Sequence, residues 1–243
     1  MARYAMVIDL RKCVGCQACT AACNAEWGVP DGSARTRVRP TTVAGRYPDL
    51  RGGTFVSQCN HCDHPPCIEV CPSGATFASN DGIVRVDRDL CIGCGFCVEA
   101  CPYGARFIDP VAKKVDKCDF CASRLERGEL PACVTTCTAH AKFFGDLEDR
   151  DGDVYRMVYV EGARRLETAA VAPGPNVYYL GPPALLEQVA AEFPPHRPRM
   201  LAAGEAWRRL ARPLVWAAVG AAFLGQAGAF FNQLRKGEAD FED

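Results

Sequence analysis

Sixteen cysteines are the residues of this chain whose type and spacing can do chemistry. They fall into four quartets with none left over: Cys13, Cys16, Cys19 and Cys23; Cys59, Cys62, Cys67 and Cys71; Cys91, Cys94, Cys97 and Cys101; and Cys118, Cys121, Cys133 and Cys137. Each opens with C-x-x-C and closes with C-x-x-x-C, so one ligand unit is repeated along the chain. Thiolates are soft ligands, and C-x-x-C-x-x-C wraps three of them around three irons of a cubane in one tight turn. The fourth ligand cannot reach comfortably from that turn; in two-cluster ferredoxins it comes from the other cluster's motif. The third quartet, Cys91-Ile-Gly-Cys-Gly-Phe-Cys-Val-Glu-Ala-Cys-Pro, has the bacterial ferredoxin spacing throughout, and the first differs only in carrying Asn24 where the proline would stand. The second and fourth are stretched, with four and eleven residues before the third Cys. Gly15, Gly93 and Gly95 lie between ligands, where the backbone has to turn tightly and aim N–H groups at sulfur. The reading is four [4Fe–4S] clusters.

Other uses of these residues fit less well. Structural zinc favours two separated C-x-x-C pairs and would leave the third Cys of the short quartets without a role. The N-terminal stretch Met1–Asp9 has no apolar core long enough for a secretion signal and no twin-arginine pair. On its own address the chain is expected to start in the cytoplasm, where reducing conditions argue against eight disulfides. His61 and His64 flank Cys62 and suggest a Rieske-like ligand, but with sixteen Cys matching four cubanes their expected role is packing or a hydrogen bond to sulfur. His140 and His196 stand in no motif. Lys plus Arg (28) balances Asp plus Glu (29), which argues against nucleic acid as a partner. No nucleophile, acid–base pair or phosphate loop is evident, so the chain is expected to be no enzyme on its own.

The elements that must position the cysteines are short. After Cys71 come Pro72-Ser-Gly-Ala-Thr-Phe-Ala, a turn at Ser79-Asn-Asp-Gly and the alternating strand Ile83-Val-Arg-Val. After Cys101 the same grammar returns as Pro102-Tyr-Gly-Ala-Arg-Phe-Ile-Asp, a turn at Pro110 and Lys113-Lys-Val-Asp, and Ala141-Lys-Phe-Phe follows the fourth quartet. These imply an α+β fold of hairpins and one-turn helices packed around clusters. Residues 24–58 form an insertion with Arg35, Arg37, Arg39, Arg46 and Arg51, read as a solvated loop or a surface that docks a partner. Residues 173–198 hold seven of the 17 Pro around a helical run, Ala184–Phe193, so 151–205 reads as an extended Pro-rich arm.

Residues 213–234 carry no charge, and a helix needs about 20 residues to cross a bilayer. Arg208, Arg209 and Arg212 precede this run, Arg235 and Lys236 follow it, and Trp207, Trp216, Phe230 and Phe231 lie near its ends. Residues 206–236 therefore read as a transmembrane anchor, with 237–243 an acidic tail. A buried core helix is the alternative, because Gln226, Asn232 and Gln233 soften the run. Ala217, Ala221, Gly225 and Ala229 recur every fourth residue and make a smooth face on which a membrane partner's helix could pack.

The quartets, in this order and spacing, resemble the iron–sulfur (beta) subunit of the complex iron–sulfur molybdoenzymes, which include polysulfide, tetrathionate, dimethyl sulfoxide and arsenate reductases and membrane formate dehydrogenase. The resemblance runs from Tyr4 through Asp149 and includes Cys13-Val-Gly-Cys-Gln-Ala-Cys, Cys59-Asn-His-Cys-Asp-His-Pro-Pro-Cys, Cys101-Pro-Tyr-Gly-Ala-Arg, Pro131-Ala-Cys-Val-Thr-Thr-Cys and Phe144-Gly-Asp-Leu. Its flavour is that of polysulfide reductase, whereas the C-terminal helix is more like that of formate dehydrogenase or a hydrogenase electron-transfer subunit. The resemblance implies two ferredoxin-like modules in a 1–150 domain, one from 1–23 and 118–150, the other from 59–117. It implies the ligand sets Cys13, Cys16, Cys19 with Cys137; Cys118, Cys121, Cys133 with Cys23; Cys59, Cys62, Cys67 with Cys101; and Cys91, Cys94, Cys97 with Cys71. Nitrate reductase relatives hold a [3Fe–4S] cluster where Trp replaces one ligand; here position 94 is Cys. The implied function is electron transfer between a molybdopterin catalytic subunit and a quinone-reactive membrane subunit. The alternatives are an electron-transfer subunit of a membrane nickel–iron hydrogenase and a membrane-tethered polyferredoxin. From residue 198 to 236, four Arg precede the span and two basic residues follow it, which favours clusters in the cytoplasm. The resemblance implies the extracytoplasmic face, and that is the expectation preferred.

Overall fold

The computed structural model describes residues 2–169, 171–196 and 212–236. The chain divides into two units, Met1–Pro198 and Arg199–Asp243.

The first unit is organised by β1 (Tyr4–Asp9), whose Ala5, Met6, Val7 and Ile8 are fully buried. A strand apolar on both faces belongs in the middle of a sheet. On one side β1 pairs antiparallel with β8 (Lys142–Asp146), Tyr4 opposite Asp146 and Ile8 opposite Lys142. On the other it runs parallel to β10 (Val177–Leu180), Met6 opposite Val177, and β9 (Arg164–Arg165) closes that edge. Strand periodicity sends Ala5 and Val7 to one face, where they pack with Val154 and Met157 of α6 (Asp153–Tyr159). Met6 and Ile8 face the other way, into a core built with Phe55, Val56, Phe120, Cys19, Cys59, Cys118 and Cys133.

Three antiparallel hairpins surround that core: β2 (Thr36–Pro40) with β3 (Thr54–Gln58), β4 (Thr76–Ala78) with β5 (Val84–Val86), and β6 (Arg106–Ile108) with β7 (Val115–Lys117). The last two follow the turn grammar read after Cys71 and Cys101. The insertion 24–58 is more than a loop, since its hairpin places Phe55 and Val56 in the core. The cysteine quartets start helices α1 (Ala18–Trp27), α2 (Pro66–Glu69), α3 (Phe96–Glu99) and α5 (Ala132–Thr135), while α4 (Ala122–Leu125) fills the long spacer of the fourth.

Residues 151–196 differ from the extended arm that their composition suggests. They carry α6, β9, β10 and α7 (Pro183–Glu192), and β10 is an interior strand with all four residues buried. The compact unit therefore continues through residues 151–196 rather than ending near 150. Pro173 and Pro175 precede β10, and Pro183 opens α7, places where a missing N–H costs no hydrogen bond.

In the second unit, α8 (Arg212–Lys236) is 25 residues long, about 37 Å at 1.5 Å per residue. Its stretch Leu214–Asn232 has a mean hydropathy of 1.6, long and apolar enough to cross a membrane. Trp216, Phe223, Leu224, Phe230 and Phe231 are exposed. The acidic tail 237–243 and the residues 206–211 of the expected anchor lie outside the described residues.

Candidate metal centres

All four quartets are built on one local plan. The residue before the second Cys lies in the left-handed region every time: Gly15 (φ +68°), His61 (+44°), Gly93 (+69°) and Phe120 (+55°). The third Cys (Cys19, Cys67, Cys97 or Cys133) is then the second residue of a helix. The fourth follows four residues later; in the first quartet it lies one turn on in the same helix, and in the other three it comes just after the helix ends. Glycine meets the positive φ without cost at 15 and 93. A Cβ on Gly93 would also lie 2.1 Å from the Lys113 carbonyl oxygen. His61 and Phe120 take the same conformation as bulky residues, both fully buried, their rings stacked with centroids 3.7 Å apart.

The structure gathers cysteines from different quartets. Cys13, Cys16 and Cys19 line a pocket with Cys137 from the fourth quartet, which Ile8, Val56 and Lys142 also face. Cys118, Cys121 and Cys133 line a second with Cys23 from the first quartet and Met6, Trp27, Arg35 and Phe120. Cys59, Cys67 and Cys101 lie beside Cys62 closely enough that their charges add to the effect of burial in raising its thiol pKa. Cys91 and Cys97 share an apolar cluster with Cys67, Val84 and Val115, and α2, which precedes Cys71, packs on α3. Cys71 itself sits with its Sγ 3.8 Å from Ser73 Oγ. Cys16 and Cys94 are exposed.

The donors suit an iron–sulfur group. All sixteen cysteines are free. Burial pushes the Cys23 thiol up to about 12 and the Cys67 thiol up to about 11, and raises Cys19, Cys101, Cys118 and Cys121. Such thiols ionise only when positive charge is brought to them, so metal binding and deprotonation are one event. N–H groups are aimed at the sulfurs: Ala105 N donates to Cys101 Sγ (3.4 Å), Ala141 N to Cys137 Sγ (3.2 Å), Trp27 Nε1 to Cys121 Sγ (3.3 Å) and Arg106 Nη2 to Cys67 Sγ (3.0 Å).

Histidine is used for packing. His61 Nδ1 accepts the Val84 N–H at 3.0 Å, and burial holds its pKa well below the usual imidazole value, so it is neutral. His64 donates its backbone N–H to the Pro173 carbonyl.

The buried cations were not legible as such in the sequence. Arg35, Arg106, Lys117 and Lys142 are all buried close to the cysteines. Arg35 is paired with Asp116 (Nε–Oδ2 3.0 Å, Nη2–Oδ1 2.7 Å) and lies over the Trp27 ring. Lys117 Nζ donates to the Cys118 carbonyl at 2.8 Å and to that of Val84.

Residues 52–147 match a 4Fe-4S dicluster domain family, and residues 12–76 match a second 4Fe-4S dicluster domain family. The B subunit of tetrathionate reductase from Salmonella typhimurium is 45% identical over 181 residues, 74% of this chain and 72% of that protein. The chain belongs to the iron–sulfur subunits of the complex iron–sulfur molybdoenzyme family. Protein NrfC of Escherichia coli is 43% identical over 178 residues, 72% of this chain and 79% of that protein. The B subunit of polysulfide reductase from Wolinella succinogenes is 44% identical over 161 residues, 64% of this chain and 83% of that protein. As an iron–sulfur subunit of this family, the chain is a non-catalytic electron-transfer component of a multisubunit reductase, built from [4Fe–4S] dicluster domains.

Proposed function

We propose that this subunit holds four [4Fe–4S] clusters and conducts electrons between a molybdopterin catalytic subunit and a quinone-reactive membrane subunit. The ligand sets are Cys13, Cys16, Cys19 and Cys137; Cys118, Cys121, Cys133 and Cys23; Cys59, Cys62, Cys67 and Cys101; and Cys91, Cys94, Cys97 and Cys71. A bound cubane supplies a one-electron carrier at each site. The observation that carries the reading is the continuity of thiols from one exposed cysteine to the other. Cys19, Cys59, Cys101, Cys118 and Cys133 share one buried core cluster, and Cys67 shares another with Cys97. Cys16 at one end and Cys94 at the other are open to solvent, while Cys118 and Cys121 between them are buried. The quartets two and three, as one module, face the membrane subunit; quartets one and four, as the other, face the catalytic subunit. α8 anchors the chain beside its membrane partner, with the cluster domain on the extracytoplasmic face.

Cys94→Ser tests the order. It removes one thiolate from the membrane-side site, so the iron of that cluster alone is expected to be changed or lost. In the purified complex, turnover with a soluble dye should persist and quinone-linked turnover should collapse. Parallel loss of both activities with the other clusters intact would overturn the assignment.

A further inference from the structure

Two buried cations stand at equivalent positions of the two modules. Arg106 is the fifth residue after Cys101, and Lys142 is the fifth after Cys137. Each opens a strand, β6 and β8, and each follows an alanine whose N–H donates to the preceding cysteine's Sγ. The corresponding residues after Cys23 and Cys71 are Gly28 and Thr76, so each module has one such cation. Arg106 Nη1 donates to Thr76 Oγ1 at 3.1 Å, joining the two equivalent positions of its module.

Neither cation is neutralised by a carboxylate among the described residues, in contrast to Arg35 on Asp116. Arg106 is 3% exposed and its Nη2 donates to Cys67 Sγ at 3.0 Å. Lys142 is 5% exposed, donates to Gln58 Oε1 at 2.8 Å, and lines the cavity of Cys13, Cys16, Cys19 and Cys137. Burial disfavours both charges, and the groups they face are cysteine sulfurs rather than carboxylates: Cys67 Sγ at 3.0 Å from Arg106, and the cavity of Cys13, Cys16, Cys19 and Cys137 at Lys142. A buried charge is retained only where opposite charge balances it. On the proposed ligation that balance comes from the metal-bound cysteine thiolates beside each cation.

We infer that Arg106 and Lys142 are the redox-tuning residues of the two modules, each favouring the reduced form of the clusters on either side of it. The inference rests on the proposed ligation. Reduction adds one negative charge to a site already surrounded by thiolates, and a fixed cation in a water-poor core stabilises the more negative state. Removing that cation lowers the reduction potential.

The test is an electron paramagnetic resonance redox titration of the purified complex, with iron counted on every sample. Lys142→Met is expected to make reduction about tenfold or more less favourable for the clusters of quartets one and four, 59 mV per tenfold for a one-electron couple. The other module should be unmoved. Arg106→Met should do the converse, and Lys142→Arg and Arg106→Lys should restore values near the parent. Fully loaded neutral variants with parent potentials would overturn the inference, as would equal shifts in both modules. If the neutral variants lose iron, Lys142→Gln and the charge-preserving variants decide. Loading restored only where the charge is kept supports charge balance, and loss in the charge-preserving variants as well contradicts it. A parent complex without four clusters would instead strike the proposed function, so the two failures are distinguishable.

Discussion

At the residue before the second cysteine of each quartet, the backbone has to enter a conformation that costs an L-residue about 1–2 kcal/mol. Glycine removes that cost at positions 15 and 93, and both were legible in the sequence as tight-turn residues. His61 and Phe120 were not, because neither is a turn former; burial and mutual stacking hold them in place. The stack also explains why a histidine beside Cys62 is a neutral packing group. Gly93 is the sharper case, since a methyl there meets the Lys113 carbonyl as well as the positive φ. Gly93→Ala should therefore cost the site of Cys91, Cys94 and Cys97 its iron, lowering the iron content of the purified protein by about a quarter on the four-cubane reading. Gly74→Ala, with open space around its Cβ and a similar φ, controls for the backbone strain alone and should keep its iron. Equal loss in both would place the effect in backbone strain rather than in the Lys113 contact.

Among the elements, the hairpins after Cys71 and Cys101 were readable from turn residues and alternation, and α7 from its apolar run. β10 was not. Val177–Leu180 is a short apolar run among prolines, and composition alone suggests an extended segment there. Its pairing with β1, far away in sequence, is what makes it a core strand. A chain ending after Gly204 keeps β10 and α7 and loses α8, so it should load its clusters and no longer stay with washed membranes. A chain ending after Asp151 loses β10 and should fail to accumulate as folded, cluster-bearing protein. Firm retention of the shorter-by-α8 chain on membranes would show that α8 is not the anchor. Normal cluster loading without β10 would show that residues 151–196 are the dispensable arm their prolines suggest.

For the whole molecule, the cysteines form quartets in the sequence itself, because sixteen residues fall into one repeated spacing. What spacing could not supply was the surroundings: thiols so buried that they resist ionisation, and buried cations placed against them. Those surroundings make the protein interior an inorganic core in waiting, with much of the apolar core of an ordinary domain given over to sulfur. The most direct measurement is the metal and sulfide content of the anaerobically purified complex, resolved by reductive titration. The account predicts about 16 iron and 16 acid-labile sulfide per copy of this chain after subtraction of the partners' own content, with cubane-type signals on reduction. Mainly zinc, or half that iron with no sign of cluster loss during preparation, would contradict it.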